Sequence, residues 1–360
     1  MITHANLWPA VVSFDALYAA YVRARRGKRT RPQVQRFEQN LEGELIQLQN
    51  ELVWGEYRTG RHHRFEVYEP KRREVVSLPF RDRVVQHALV AQLEPIWERS
   101  MIDDTYACRP GRGIHACADR VQSMLLRTLR RSGRVYALKA DVRSYFASID
   151  HGVLKRLLRR KVRCARTLAL CDEIIDAWGR RVVGAARGLP IGNLTSQLWA
   201  NVYLDALDQR IKHGLRAPSY ARYMDDFVLV SGDKGELQRC RMEIERWLAD
   251  ELRLELNAKT QVFPVAPRHG RALDFVGYRI WPTHRRLRTS SIRRIKATLR
   301  RMQREYAQGD VTLAEVRERV QSWVAHASHA NTDALREQLL GSFVFSRPGP
   351  VDGLATRRGA

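Results

Sequence analysis

The segment that most constrains this chain is residues 219–231, SYARYMDDFVLVS, in which two short apolar runs flank the adjacent carboxylates Asp225 and Asp226. Runs of this length and composition read as the arms of a β-hairpin, with Met224, Asp225 and Asp226 at or beside its turn. Neighbouring aspartates repel each other and lower the stability of a tight turn. A divalent cation is the usual compensation, and an oxygen-rich carboxylate site suits Mg²⁺. A metal held there can activate a hydroxyl and stabilise a departing pyrophosphate. A solvated acidic turn is the plain alternative, and a four-letter string alone does not exclude it.

A second carboxylate narrows the choice. Residues 135–150, VYALKADVRSYFASID, begin as an apolar strand that delivers Asp141 at its end and then present the aromatic pair Tyr145 and Phe146. Nucleotide polymerisation needs a carboxylate on one strand facing a carboxylate on a neighbouring hairpin, so that two metals can be bridged. Asp141 and Asp225 supply that pair. Read by itself, Asp141 would be a strand-end or helix N-cap aspartate.

Charge agrees with a nucleic-acid partner. The chain carries 63 Lys+Arg against 39 Asp+Glu, a formal net charge of +24. Such an excess favours a polyanion through phosphate neutralisation and counterion release, and its bias toward Arg suits bidentate phosphate contacts. An anionic membrane surface is the rival, but no amphipathic anchor with aromatic residues on one face is evident. No apolar stretch reaches the roughly 18 residues needed to span a bilayer, and the N-terminus lacks the basic-then-apolar order of a signal peptide. Cys108, Cys117, Cys164, Cys171 and Cys240 include no Cys-x-x-Cys pair and read as reduced thiols of a cytoplasmic protein. Cys108, His115 and Cys117 lack a fourth metal ligand nearby.

Periodicity organises the rest. Residues 13–54 are helical in pattern, and 65–78 alternate as a hairpin with Lys71 and Arg73 near its turn. Residues 83–98 form an amphipathic helix with Val84, Val85, Ala88, Leu89, Leu93 and Ile96 on its apolar side. Helices follow over 120–131, 151–178 and 194–213. Gly192 and Asn193 form the entry loop of the last, flexible enough for close backbone approach to a nucleotide. Residues 290–305 are helical and dense in base, with Ile292, Ile295, Leu299 and Met302 at helical spacing. One face can pack while Arg293, Arg294, Lys296, Arg300, Arg301 and Arg304 meet phosphates or solvent. Helices over 313–326 and 333–340 complete a small bundle, and the Gly/Pro/Arg-rich residues 347–360 read as a flexible tail.

In order along most of its length the chain resembles the reverse transcriptases. The segments at 70–73 and 78–87 are similar to fingers motifs of bacterial members, 141–150 to motif A, 188–197 (GLPIGNLTSQ) to motif B, and 223–226 to motif C. Residues 257–260 sit where motif D falls, and 273–278 resemble the primer grip. The resemblance implies an α+β right-hand polymerase. Its parts are an N-terminal helical segment and fingers (1–135), a palm of antiparallel sheet plus helices (136–280, with 151–190 partly returning to the fingers), a helical thumb (281–346) and the tail.

What it implies for the site is specific. Asp141 and Asp225 are expected to bridge two Mg²⁺ ions, or Mn²⁺ in their place, with the Val142 carbonyl completing a site and Asp226 supporting it. Lys71 and Arg73 match the residues that clamp the triphosphate, Lys259 the motif D lysine, and Phe146 the aromatic gate against a ribose 2′-hydroxyl. Tyr145, pointing the other way along an extended segment, joins Ile191, Gly192 and Gln197 among the nucleotide contacts.

Motif B departs from the common pattern. Group II intron and retroviral enzymes usually carry Gln where Ile191 stands, and Ser-Pro where this chain has Ser196 and Gln197. The string Ile-Gly-x-x-x-Ser-Gln is similar to reverse transcriptases of diversity-generating retroelements. That resemblance implies copying of a template RNA with errors opposite adenine, an RNA/cDNA duplex, and a small basic accessory variability protein in a bacterial or phage setting. A retron-like, group II-like or phage-defence enzyme stays open, as does a catalytically silent nucleic-acid-binding scaffold. The intact Asp141, Asp225 and Asp226 argue against the scaffold.

Overall fold

The structure, a computed structural model, describes residues 3–68, 72–179, 186–217 and 219–347. Lys71, the Arg73 side chain and the tail beyond residue 347 lie outside this set. Two compact units make up the chain: residues 1–113 and 138–262 form the first, and residues 114–137 and 263–360 the second. The segment expected as thumb, residues 281–346, falls in the second unit together with residues 114–137 and 263–280.

The first unit starts with helices α1 (Trp8–Val12), α2 (Phe14–Ala24), α3 (Pro32–Gln39) and α4 (Leu41–Trp54). In α2 the residues Leu17, Ala20, Tyr21 and Ala24 are buried, the spacing of a single helix face. That face packs on α5 (Phe80–Glu98), where Phe37 of α3 meets Phe80 edge-on at 5.1 Å between ring centres. All the apolar residues expected on α5, from Val84 to Ile96, are buried. Between α4 and α5 the antiparallel strands β1 (His63–Val67) and β2 (Arg73–Ser77) pair with Val67 opposite Arg73.

The four-stranded sheet has the order β4-β5-β3-β6, from β3 (Tyr136–Asp141), β4 (Tyr220–Tyr223), β5 (Asp226–Ser231) and β6 (Gln261–Pro264). In β5 every residue from Phe227 to Val230 is buried, so the strand is covered on both faces and reads as an apolar run, not an alternation. Helix α11 (Lys234–Leu252) packs on β5. The helical stretch expected over 151–178 is α8 (His151–Lys161) and α9 (Ala165–Gly179), with α8 capped by Asp150, whose side chain accepts from the Val153 N–H at 3.0 Å. The stretch expected over 194–213 is α10 (Leu194–Gln209), which ends in a π turn over Arg210–Gly214.

The second unit combines α6 (Ile114–Ser132), an antiparallel sheet of β7 (Leu273–Phe275), β8 (Tyr278–Ile280) and β9 (Arg285–Leu287), and helices α12 (Thr289–Gln308), α13 (Leu313–Ala327) and α14 (Asp333–Gly341). Thr312 and Glu315 form a reciprocal capping box at the start of α13, satisfying N–H groups that a helix start leaves open. Helices and antiparallel sheets in these proportions make the chain α+β.

Candidate active site

The acidic hairpin forms as its sequence predicts. Tyr223 pairs with Asp226, leaving Met224 and Asp225 as the turn. Met224 has φ +58°, a left-handed conformation uncommon outside glycine and worth explaining. The Asp225 carbonyl accepts from the Val142 N–H at 3.3 Å, which ties the turn to the end of β3 beside Asp141. Asn257 binds Asp141 twice: its N–H donates to the Asp141 carbonyl at 2.7 Å and its Nδ2 to Oδ2 at 3.3 Å.

Electrostatics mark this pair. Burial pushes the Asp141 carboxyl above its ordinary range, and the charge and hydrogen-bonding reach of Asp225 push it further; Lys139 and Asn257 pull the other way. Two half-buried carboxylates within hydrogen-bonding reach each raise the cost of ionising the other. A divalent cation removes that cost, and hard oxygen donors are its preferred ligands. The donor set therefore fits such an ion, with Asp141, Asp225 and the Val142 carbonyl as the groups that would hold it. Asp226 opens β5 opposite Tyr223.

A cavity of about 310 Å³ brings distant motifs together: Glu74 and Val76 from β2, Phe146 from motif A, Trp178 from α9, and Gly188 and Ile191 from motif B. Phe146 and Ile191, expected at the nucleotide, thus share one wall system. Tyr145 does not join them. It is 2% exposed and its hydroxyl donates to the Ala200 carbonyl at 2.5 Å, so it is a core residue and not a nucleotide contact. The segment is a short helix, Tyr145–Ser148 (α7), not an extended run, and the two rings meet edge-on at 5.7 Å between centres instead of pointing to opposite sides.

Gly192 sits against the β1–β2 hairpin. Its close approach is to β2, where a Cβ would stand 2.4 Å from the Val76 carbonyl oxygen, and the Val76 N–H donates to the Ile191 carbonyl at 2.8 Å. Gln197 in α10 and Lys259 are exposed, and neither lines the cavity. In the second unit Arg293, Arg294, Lys296, Arg300, Arg301 and Arg304 are exposed along α12, while Ile295, Leu299 and Met302 are buried.

Sequence reasoning missed Asn257, although it opens the segment singled out for Lys259. It also missed Glu74 and Trp178, which carry no local signal and reach the cavity only through tertiary packing.

An acidic pair formed by the end of β3 and the β4–β5 turn, with oxygen donors suited to a divalent ion, has the chemistry of a nucleotidyl transferase. The family profile described as "Reverse transcriptase (RNA-dependent DNA polymerase)" matches residues 69–280. Protein YkfC of Escherichia coli (strain K12) is 31% identical over 278 residues, covering 66% of this chain and 71% of that protein. The group II intron-encoded protein LtrA of Lactococcus lactis subsp. cremoris is 24% identical over 280 residues, covering 58% of this chain and 45% of LtrA. A solved telomerase from Candida Tropicalis, in complex with a TWJ fragment of telomeric RNA, aligns at TM-score 0.48 and 12% identity over 68% of this chain and 49% of that one.

The chain belongs to the reverse transcriptase family. It is an RNA-directed DNA polymerase, an enzyme class that binds template RNA and uses divalent metal ions. Among the described residues no helix is long and apolar enough to cross a membrane.

Proposed function

We propose that this polymerase copies its template RNA into cDNA with Mg²⁺ held by Asp141, Asp225 and the Val142 carbonyl, and that it does so with low fidelity. When bound, the ions activate the primer 3′-hydroxyl and neutralise charge on the triphosphate. The chain's own residues orient the reactants. Asn257 fixes the Asp141 carboxylate, the Val142 N–H holds the turn, and the Phe146 ring lines the cavity where a 2′-hydroxyl would clash.

The observation that carries the low-fidelity reading is Ile191, 38% exposed in the wall of that cavity. A Gln there could hydrogen-bond the nascent pair; a branched aliphatic side chain leaves shape and stacking alone. One lost positioning hydrogen bond is worth roughly 0.5–1.5 kcal/mol, a severalfold to tenfold erosion of discrimination. Together with the Ile-Gly-x-x-x-Ser-Gln string, this supports an enzyme of a diversity-generating retroelement, miscopying template adenines and working with a small basic accessory protein in a bacterial or phage cytoplasm. Similarity to LtrA favours a second reading, a group II-like enzyme.

Primer extension on a defined RNA with Mg²⁺ and dNTPs, followed by cDNA sequencing, tests both. Errors concentrated at template adenines, reduced in Ile191→Gln and absent with the inactive Asp225→Asn, support the retroelement reading. Accurate or evenly distributed copying removes it and leaves the group II-like one.

A further inference from the structure

Beneath the turn that carries Asp225 lies an ion pair with no part in the chemistry described so far. Arg222 of β4 and Asp208 of α10 both have 0% side-chain exposure. The guanidinium closes a fork on the carboxylate, Nε to Oδ1 at 2.8 Å and Nη2 to Oδ2 at 2.6 Å. The Tyr220 hydroxyl donates to Oδ1 at 2.6 Å and the Thr105 hydroxyl to Oδ2 at 2.8 Å, so both oxygens are doubly satisfied. The remaining nitrogen, Nη1, donates to Asn201 Oδ1 at 3.2 Å and to the Met224 carbonyl at 2.9 Å. The Arg222 backbone is tied as well, its N–H to the Asp104 carbonyl and its carbonyl to the Tyr106 N–H.

Stability does not explain a pair this deep, because apolar residues of similar volume often serve as well or better. An apolar pair cannot, however, donate a hydrogen bond to Met224. That residue holds the left-handed conformation of the turn and directly precedes Asp225. Arg222 on the Met224 carbonyl and the Val142 N–H on the Asp225 carbonyl both anchor the turn. A fully satisfied buried network is stiff, and stiffness here sets where one carboxylate stands against the other.

We infer that Arg222, held in place by Asp208, is a positioning residue that fixes the Met224 carbonyl and thereby the placement of Asp225 relative to Asp141. This rests on the reading of Asp141 and Asp225 as the metal-binding pair.

The test compares wild type with three variants. One is an apolar replacement of the network, Thr105→Val/Asp208→Leu/Tyr220→Phe/Arg222→Met. The second is Arg222→Lys, which keeps the charge on Asp208 but lacks the fork that also reaches Met224. The third is Asp225→Asn. Each is measured for its urea unfolding midpoint, for the Mg²⁺ concentration that half-saturates the thermal shift of the substrate-free protein, and for kcat and KM in primer extension.

The apolar variant should keep a midpoint near wild type and an unchanged KM for dNTP, while kcat falls on the order of 100-fold, as expected for a misplaced reactive group. Its half-saturating Mg²⁺ should rise about tenfold or more, and Arg222→Lys should lose about tenfold in kcat, one hydrogen bond's worth. A folded apolar variant with wild-type kcat and Mg²⁺ response overturns the inference. If that variant does not fold, Arg222→Lys decides by the same comparison. Full activity in Asp225→Asn would remove the metal-pair reading and the inference with it; an inactive Asp225→Asn beside fully active network variants removes the inference alone.

Discussion

Substituting Gly192 by alanine probes the contact that joins motif B to the β1–β2 hairpin. Gly192 has φ +119°, and an added Cβ would meet the Val76 carbonyl oxygen at 2.4 Å and Val75 Cγ1 at 3.1 Å. Ordinary contact begins near 3.4 Å, so β2 or the motif B loop must move by about 1 Å. The backbone strain costs roughly 1–3 kcal/mol, and the movement puts the 2.8 Å Val76–Ile191 hydrogen bond at risk, a further 0.5–1.5 kcal/mol or so. The docking of β2 against motif B should therefore weaken by roughly 2–4 kcal/mol. Val76, Phe146 and Ile191 wall one cavity, and a misplacement of about 1 Å in a positioning element costs on the order of 100-fold in rate.

Single-nucleotide primer extension across a dNTP titration measures this as a kcat/KM loss of about that size, and hydrogen exchange at the Val76 amide should quicken. Gly55→Ala is the control. Gly55 has φ +75° with nothing within 4 Å of its Cβ position, so it should cost about 1–2 kcal/mol of stability and leave kcat/KM alone. A Gly192→Ala enzyme within threefold of wild type, with unchanged Val76 exchange, would mean that the docking of β2 on motif B does not shape the cavity.

Other perturbations follow from the same geometry. Asp141→Asn should abolish extension yet raise the metal-free unfolding midpoint by a few degrees, because it removes a charge disfavoured first by burial and then by the neighbouring Asp225; an unchanged or lower midpoint in EDTA would contradict this. That carboxyl binds protons more readily folded than unfolded, so in wild type its contribution to stability is lost as pH rises from the ordinary aspartate range through its raised value. His87 behaves oppositely: burial, with Arg23, Lys28 and Arg83 nearby, pushes it down to about 4. Its unfolded form takes up a proton first, so stability is lost as pH falls from about 6.5 toward 4, by at most about 3 kcal/mol. Urea titrations of wild type and His87→Gln should diverge in that window and converge above it. Phe146→Ala should raise rNTP incorporation about tenfold or more relative to dNTP by opening the cavity wall, read by alkali-labile sites in the product. Arg300→Ala and Arg304→Ala should each lower the slope of log K against log salt by about one for an RNA/DNA duplex, with no change in sequence preference.

Much of this protein is legible in its sequence. Apolar and acidic residues within a few positions of one another specify the β4–β5 hairpin and the strand that ends at Asp141, because side-chain period and turn chemistry are local. The same holds for α5 and α12, whose buried and exposed faces follow helical spacing. The expectation for Tyr145 failed because short aromatic segments do not declare helix or strand, and the chain turns there into α7. The grouping of residues 114–137 with 263–360 is of another kind, since it depends on which segments pack together across more than a hundred residues.

The family, the order of motifs and the identity of the acidic residues can all be read from the sequence, since each is written in contiguous stretches. How those stretches meet is a matter of tertiary structure: Asn257 holds Asp141, Glu74 and Trp178 wall a cavity with Phe146 and Ile191, Gly192 lies against β2, and Arg222 reaches both Asp208 and Met224. These are hydrogen bonds and van der Waals contacts between residues mostly far apart in the chain. They exist only once burial of apolar surface has brought the elements together, so no local pattern could announce them.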